Sequence, residues 1–91
     1  MNDKDSLELF LKENPEWKVV DNKLYREIVL NNFKEVVLVF NLISFLAEKL
    51  NHHPDLEVYY KKIIIKLFTH SANCITNKDI ELANLIEKNL K

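Results

Sequence analysis

The sequence predicts an α+β fold: a four-stranded antiparallel sheet with helices packed on one face, in the order α-β-β-α-β-β-α. Three observations predict it: apolar residues recur at helical spacing in three stretches, β-branched and aromatic runs lie between them, and cap or turn residues stand at the junctions. Asp3 to Glu13 sets Leu7, Phe10 and Leu11 on one helical face, and Asn14-Pro15 closes the stretch because a residue before proline is pushed out of the α region. Trp17 to Val20 and Leu24 to Leu30 read as a hairpin. Between them lies Asp21-Asn22-Lys23, where asparagine supplies the positive φ of a tight turn in a chain with no glycine. Asn32 with Glu35 three residues later forms a capping box that opens a long helix ending near Leu50.

In that helix Phe33, Val36, Phe40, Ile43, Ala47 and Leu50 are expected to face the sheet, while Leu38, Leu42 and Phe45 form a second stripe. One face cannot hide both. The second stripe predicts self-association, as a homodimer or homotetramer through the 33–50 helix and the sheet edges. Pro54 cannot continue a helix, so Asn51-His52-His53-Pro54 ends it, and Leu56 to Tyr60 and Lys62 to Thr69 read as two more strands. Alternation predicts Ile63, Ile65 and Leu67 toward the helices and Ile64, Lys66 and Phe68 on the open face. Thr76 caps a last helix through about Asn89, with Ile80, Ala83, Ile86 and Leu90 buried.

Ninety-one residues suit one domain spanning 1–91. A net charge of −1 lacks the basic footprint that nucleic acid or an anionic membrane surface requires, so neither is an expected partner. The absence of glycine removes phosphate-cradling loops and the nucleotide enzymes built on them. One cysteine cannot form an intrachain disulfide, the start shows no secretory pattern, and no apolar run approaches a membrane span; a cytoplasmic location is expected.

The three histidines fall between positions 52 and 70, two at a helix-to-loop break and one at a strand end. Imidazole is the side chain that ordinarily titrates nearest neutrality, and loop edges on a rigid scaffold commonly mount working groups. The competing reading is a solvated helix C-terminus, where a histidine suits the dipole. Zinc bound by the histidines with Cys74 fits poorly, because adjacent His52 and His53 lack the spacing of structural sites. Nucleophilic Cys74 beside His70 has no accompanying acyl-transfer feature. Glu48, four residues before His52, can share its helical face and orient that imidazole. Asp79, third after Thr76, fits a capping-box acid and a partner for the site equally well. Tyr59 and Tyr60 are consecutive in a predicted strand, so one is expected to face the core and Tyr60 could wall a pocket.

Taken together these residues form one pattern: Glu48, three residues, His52-His53-Pro54, five residues, Tyr60, nine residues, His70, eight residues, Asp79. The pattern resembles the signature of the pterin-4a-carbinolamine dehydratases, also called 4a-hydroxytetrahydrobiopterin dehydratases. The likeness extends to Trp17, the Leu24 to Leu30 run, Asn32-Phe33, the stretch from Ala47 to Leu56 and Thr69-His70, and so covers nearly the whole chain.

The resemblance implies the same α-β-β-α-β-β-α fold and a lyase reaction. A 4a-hydroxytetrahydropterin left by an aromatic amino acid hydroxylase loses water to give the quinonoid dihydropterin, which returns to tetrahydrobiopterin recycling, with no metal or organic cofactor. It implies that His52, His53 and His70 act as acid and base, with most weight on His52 and His70, and that Glu48 and Asp79 orient or polarise them. It implies a pterin ring lying against Asn51, His52, His53 and Pro54 on one side and Phe68, Thr69, His70 and Ser71 on the other, with Tyr60 in the same signature. At Asn51, Phe68 and Ser71 the chain departs from the acidic or more polar residues of some relatives. Some animal members also serve as dimerisation cofactors of a homeodomain transcription factor, so an interaction module is the alternative that the resemblance carries.

Overall fold

The computed structural model describes residues 2–90. Helix α1 (Asp3–Glu13) begins at Asn2, whose side chain accepts from the Asp5 amide at 2.8 Å, and stops at Asn14 ahead of Pro15. Strands β1 (Trp17–Val20) and β2 (Lys23–Val29) pair across a turn in which both Asp21 (φ 51°) and Asn22 (φ 63°) are left-handed. That geometry matches the twist of the flanking strands, and two short polar side chains support it without glycine.

Helix α2 (Phe33–Leu50) crosses to β3 (Asp55–Tyr59), which turns back into β4 (Lys62–Leu67), and α3 (Asn77–Leu90) closes the described chain. The antiparallel sheet has the order β1-β2-β4-β3, so the two strands with neighbours on both sides are β2 and β4. The predicted element order is the observed one. Ile63, Ile65 and Leu67 are fully buried beneath the helices, where they join Trp17, Leu24 and Ile28 of the sheet and Phe10, Val36, Ile43, Leu46, Ala47, Ile80, Leu82, Ala83 and Ile86 of the helices. At about 2–5 kcal/mol for each buried Ile or Leu cut back to Ala, this layer dominates the stability of the scaffold that carries the site.

The structure corrects several sequence expectations. On α2, Leu46 enters the core while Phe33 and Phe40 stay exposed, and Leu42 packs against the core instead of joining Leu38 and Phe45 outside. The Asn32 side chain caps Glu35 N at 2.9 Å, but the returning Glu35 carboxylate takes the Asn31 amide at 3.0 Å, one residue earlier than a strict capping box. Ile64 lies on the open face as expected but is buried there, flanked in register by Glu27 and Glu57. Tyr60 lies in the turn after β3, and neither it nor Tyr59 reaches the core. Thr69 lies past β4, in an isolated bridge to Cys74.

Candidate functional site

The site begins at the end of α2, and the residue that ends the helix is Asn51, three positions before the proline expected to do so. Asn51 is left-handed (φ 51°, ψ 42°), its amide bonds back to Glu48 O at 3.2 Å, and His52 N reaches Ala47 O at 3.0 Å. This is a Schellman closure in which asparagine takes the place usually given to glycine. It turns the chain so that His52 and His53 leave the helix in different directions.

The two imidazoles therefore meet different carboxylates. His52 Nε2 lies 2.5 Å from Asp79 Oδ1, whereas His53 Nε2 bonds Glu48 Oε2. Glu48 was expected beside His52; the left-handed residue between them breaks the helical spacing and hands it to His53 instead. Among the described residues, no three or more His, Cys, Asp or Glu side chains gather as a metal-binding group.

Asp79 ties the turn to the far strand end. In the first turn of α3 it is fully buried, and its Oδ2 accepts from Thr76 N at 2.9 Å and from the Thr69 hydroxyl at 2.7 Å. Asp79 is thus both a capping-box acid and the link between residues 52 and 69. Thr69 was expected to touch substrate; its side chain is buried and turned to Asp79.

Register brings the rest of that strand end alongside. Asp55 pairs with Lys66, so the chain just before β3 runs beside the chain just after β4. Mutual hydrogen bonds between Thr69 and Cys74 close a small loop over 70–73, helped by a left-handed Asn73 (φ 54°), and that loop carries His70 and Ser71 exposed. The His70 ring meets Phe68 edge-on at 5.3 Å. Residues 52 and 70, remote in sequence, so belong to one end of the sheet.

Beside His53 a groove of about 350 Å³ is lined by Phe40, Ser44, Ala47, Glu48, His53, Pro54 and Leu56. Its carbon-rich walls and polar rim suit a flat, partly polar ligand. Phe40, Ser44 and Leu56 were not read from sequence as site residues, because only the packing of α2 over β3 shows that they flank Pro54. Phe68, Thr69, His70 and Ser71 do not line this groove. Tyr60 lies apart from the histidines: β3 separates it from Pro54 by about 20 Å at 3.3 Å per residue, and its ring stacks on Phe33 at 6.5 Å.

The sheet also carries a polar girder that sequence reading missed. Glu87, buried on α3, accepts from Trp17 Nε1 at 2.8 Å and from Arg26 Nε at 2.7 Å, locking the last helix to β1 and β2. The Glu87 position carries no local motif, so only the tertiary arrangement reveals its role.

Comparison with known proteins agrees with this architecture. The family model described as pterin 4 alpha carbinolamine dehydratase matches residues 2–89. A Picosynechococcus protein with the provisional name pterin-4-alpha-carbinolamine dehydratase is 40% identical over 78 residues, covering 86% of this chain and 85% of its own. An Aquifex aeolicus protein with the same provisional name is 44% identical over 75 residues, covering 82% of this chain and 76% of its own. A Brucella melitensis crystal structure described as a transcriptional coactivator/pterin dehydratase superimposes with a TM-score of 0.84 at 27% identity, covering 90% of this chain and 89% of its own. On these matches, and on the fold they share, the chain belongs to the pterin 4 alpha carbinolamine dehydratase family.

Proposed function

We propose that this chain, as one domain over residues 1–91, dehydrates a 4a-hydroxytetrahydropterin to the quinonoid dihydropterin by histidine acid-base catalysis. The observation that carries this reading is the joint hold of Asp79 on His52 and Thr69, which brings the His52-His53 turn and the His70 loop to one end of the sheet. The reaction breaks the C4a–O bond: an acid protonates the departing hydroxyl, the N5 lone pair expels it as water, and a base removes the N5 proton. Two positioned proton-transfer groups suffice, each contributing about 10²–10⁴-fold.

In this reading His52 and His70 are the principal proton carriers and His53 the third imidazole of the site. Asp79 and Glu48 orient His52 and His53. The pterin ring lies against Asn51 to Pro54 and Phe68 to Ser71, where backbone groups not already bonded within the turns can pair with its donor-acceptor edge. The substrate comes from an aromatic amino acid hydroxylase and the product goes to tetrahydrobiopterin recycling, in the cytoplasm. Generating the 4a-carbinolamine with such a hydroxylase and following its ultraviolet decay tests the proposal. Wild type accelerates the decay and His52→Ala and His70→Ala each slow it by about 10²-fold or more; a wild-type rate equal to that of buffer refutes it.

A second reading, an interaction surface, is favoured by the exposed Val37, Leu38 and Phe45 of α2 and by the unpaired edges of β1 and β3. We assign this surface to a homodimer or homotetramer, with a dimerisation-cofactor role toward a transcription regulator as the alternative. Leu38→Glu with Phe45→Glu is expected to lower the mass found by light scattering; an unchanged mass removes α2 from the interface.

A further inference from the structure

We infer that Thr69 is a positioning residue: through a one-way hydroxyl chain it holds Asp79 so that His52 carries its hydrogen on Nε2 and offers Nδ1 to the substrate. The inference rests on the proposed function for its catalytic meaning, but its geometry stands alone. Hydrogen counting fixes each direction. A hydroxyl has one hydrogen to give, and a carboxylate only accepts. Thr69 Oγ1 lies 2.7 Å from Asp79 Oδ2 and 2.7 Å from Thr76 Oγ1. The contact with Asp79 takes the Thr69 hydrogen, so Thr76 must donate to Thr69. Thr76 Oγ1 in turn accepts from Lys78 N at 3.3 Å. The chain therefore runs from the Lys78 amide through Thr76 and Thr69 to Asp79, each donor polarising the next.

Asp79 Oδ2 also accepts from Thr76 N at 2.9 Å, so that oxygen is held by two donors. The remaining oxygen, Oδ1, faces His52 Nε2 at 2.5 Å. A hydrogen in that contact belongs to the imidazole, which fixes the Nε2–H tautomer and leaves Nδ1 to exchange a proton with substrate. When Nδ1 takes a proton, Asp79 faces the resulting imidazolium without moving, because its other oxygen is anchored to two separate segments. A carboxylate without the Thr69 hydroxyl keeps only the Thr76 amide on Oδ2 and holds that alignment less firmly.

Nitrogen-15 NMR of the histidine rings at a pH where imidazoles are neutral tests this, together with steady-state dehydration kinetics on wild type, Thr69→Val and Thr69→Ser. The expected result is a His52 Nε2–H tautomer in wild type and a mixture of tautomers in Thr69→Val. In the valine variant kcat falls about 10- to 100-fold, the worth of one hydrogen bond to a charged group, with KM within about 2-fold. Thr69→Ser restores both the tautomer and kcat. If valine impairs folding, Thr69→Ala removes the same hydroxyl without adding bulk.

A wild-type His52 with its hydrogen on Nδ1 overturns the inference. So does a folded Thr69→Val that keeps the wild-type tautomer. The ring signature needs no substrate, so an intact, Thr69-dependent Nε2–H tautomer in a chain without dehydratase activity supports the relay and refutes the function separately.

Discussion

His52 and His53 are neighbours in sequence and each imidazole meets a carboxylate, yet the two pairs occupy different surroundings. The side chains of His52 and Asp79 are 12% and 0% exposed, while those of His53 and Glu48 are 58% and 75% exposed. The first pair is locked into a helix cap, two threonines and a strand end; the second rests on one contact at the helix end. Water competes for every donor and acceptor of the exposed pair, and such pairs are worth about 0–1 kcal/mol. Removing one member of a buried pair leaves uncompensated partners and costs about 3–5 kcal/mol. Burial, more than residue type, separates the imidazole held in one orientation from the imidazole free to adapt.

The sharpest way to break this contrast is to remove each carboxylate. Asp79→Ala strips an acceptor from His52, Thr69 and the Thr76 amide at once, and is expected to cost about 3 kcal/mol in urea unfolding and about 10²-fold in kcat. Glu48→Ala is expected to change stability by no more than about 1 kcal/mol. Equal losses for the two variants would erase the distinction.

Next in size is the split between the histidines themselves. His52→Ala is expected to slow dehydration by about 10²-fold or more, and His53→Ala by about 10-fold, read from single-turnover decay of the carbinolamine. The reverse order would move the working imidazole to the exposed pair.

Salt gives a smaller separation. At 1 M ionic strength the screening length falls to about 3 Å, so the ring resonances of His53 are expected to drift while those of His52 hold. Drift at His52 would show that water reaches Asp79.

The smallest effect lies away from the histidines, on the open sheet face. Lys66 Nζ sits 2.6 Å from Glu57, and Tyr59 donates its hydroxyl to the same carboxylate at 2.8 Å. The Lys66 ammonium first, and Tyr59 second, hold the Glu57 carboxyl below its ordinary value, while Glu57 raises both Lys66 and Tyr59. A folded value below the unfolded one means that the stabilisation is present above the unfolded value and is lost as pH falls through the folded one. Lys66→Met is expected to move the Glu57 titration midpoint upward by NMR; an unmoved midpoint assigns the effect elsewhere.

The fold was legible in the sequence because its instructions are local. Helix α1 runs over the predicted Asp3 to Glu13 and stops at Asn14, and the alternation of Ile63, Ile65 and Leu67 set the buried face of β4. The family signature likewise named His52, His53, His70, Glu48 and Asp79. Which carboxylate serves which imidazole was not legible, because it turns on the left-handed Asn51, a one-residue change of direction that helical spacing cannot foresee. Tyr60 shows the opposite case: it stands at a signature spacing, yet within the chain a strand length separates it from the histidines. Thr69 and Glu87 owe their roles to partners 10 and 61 or 70 residues distant, a separation beyond any local motif.

Titrating isotope-labelled protein with an unreactive dihydropterin that lacks the 4a hydroxyl tests the shared site most directly. The ring resonances of His52 and His70 are expected to shift together and saturate along one binding curve. Movement of one ring alone, or two curves with different midpoints, would contradict a single heterocycle held between the two stretches of chain.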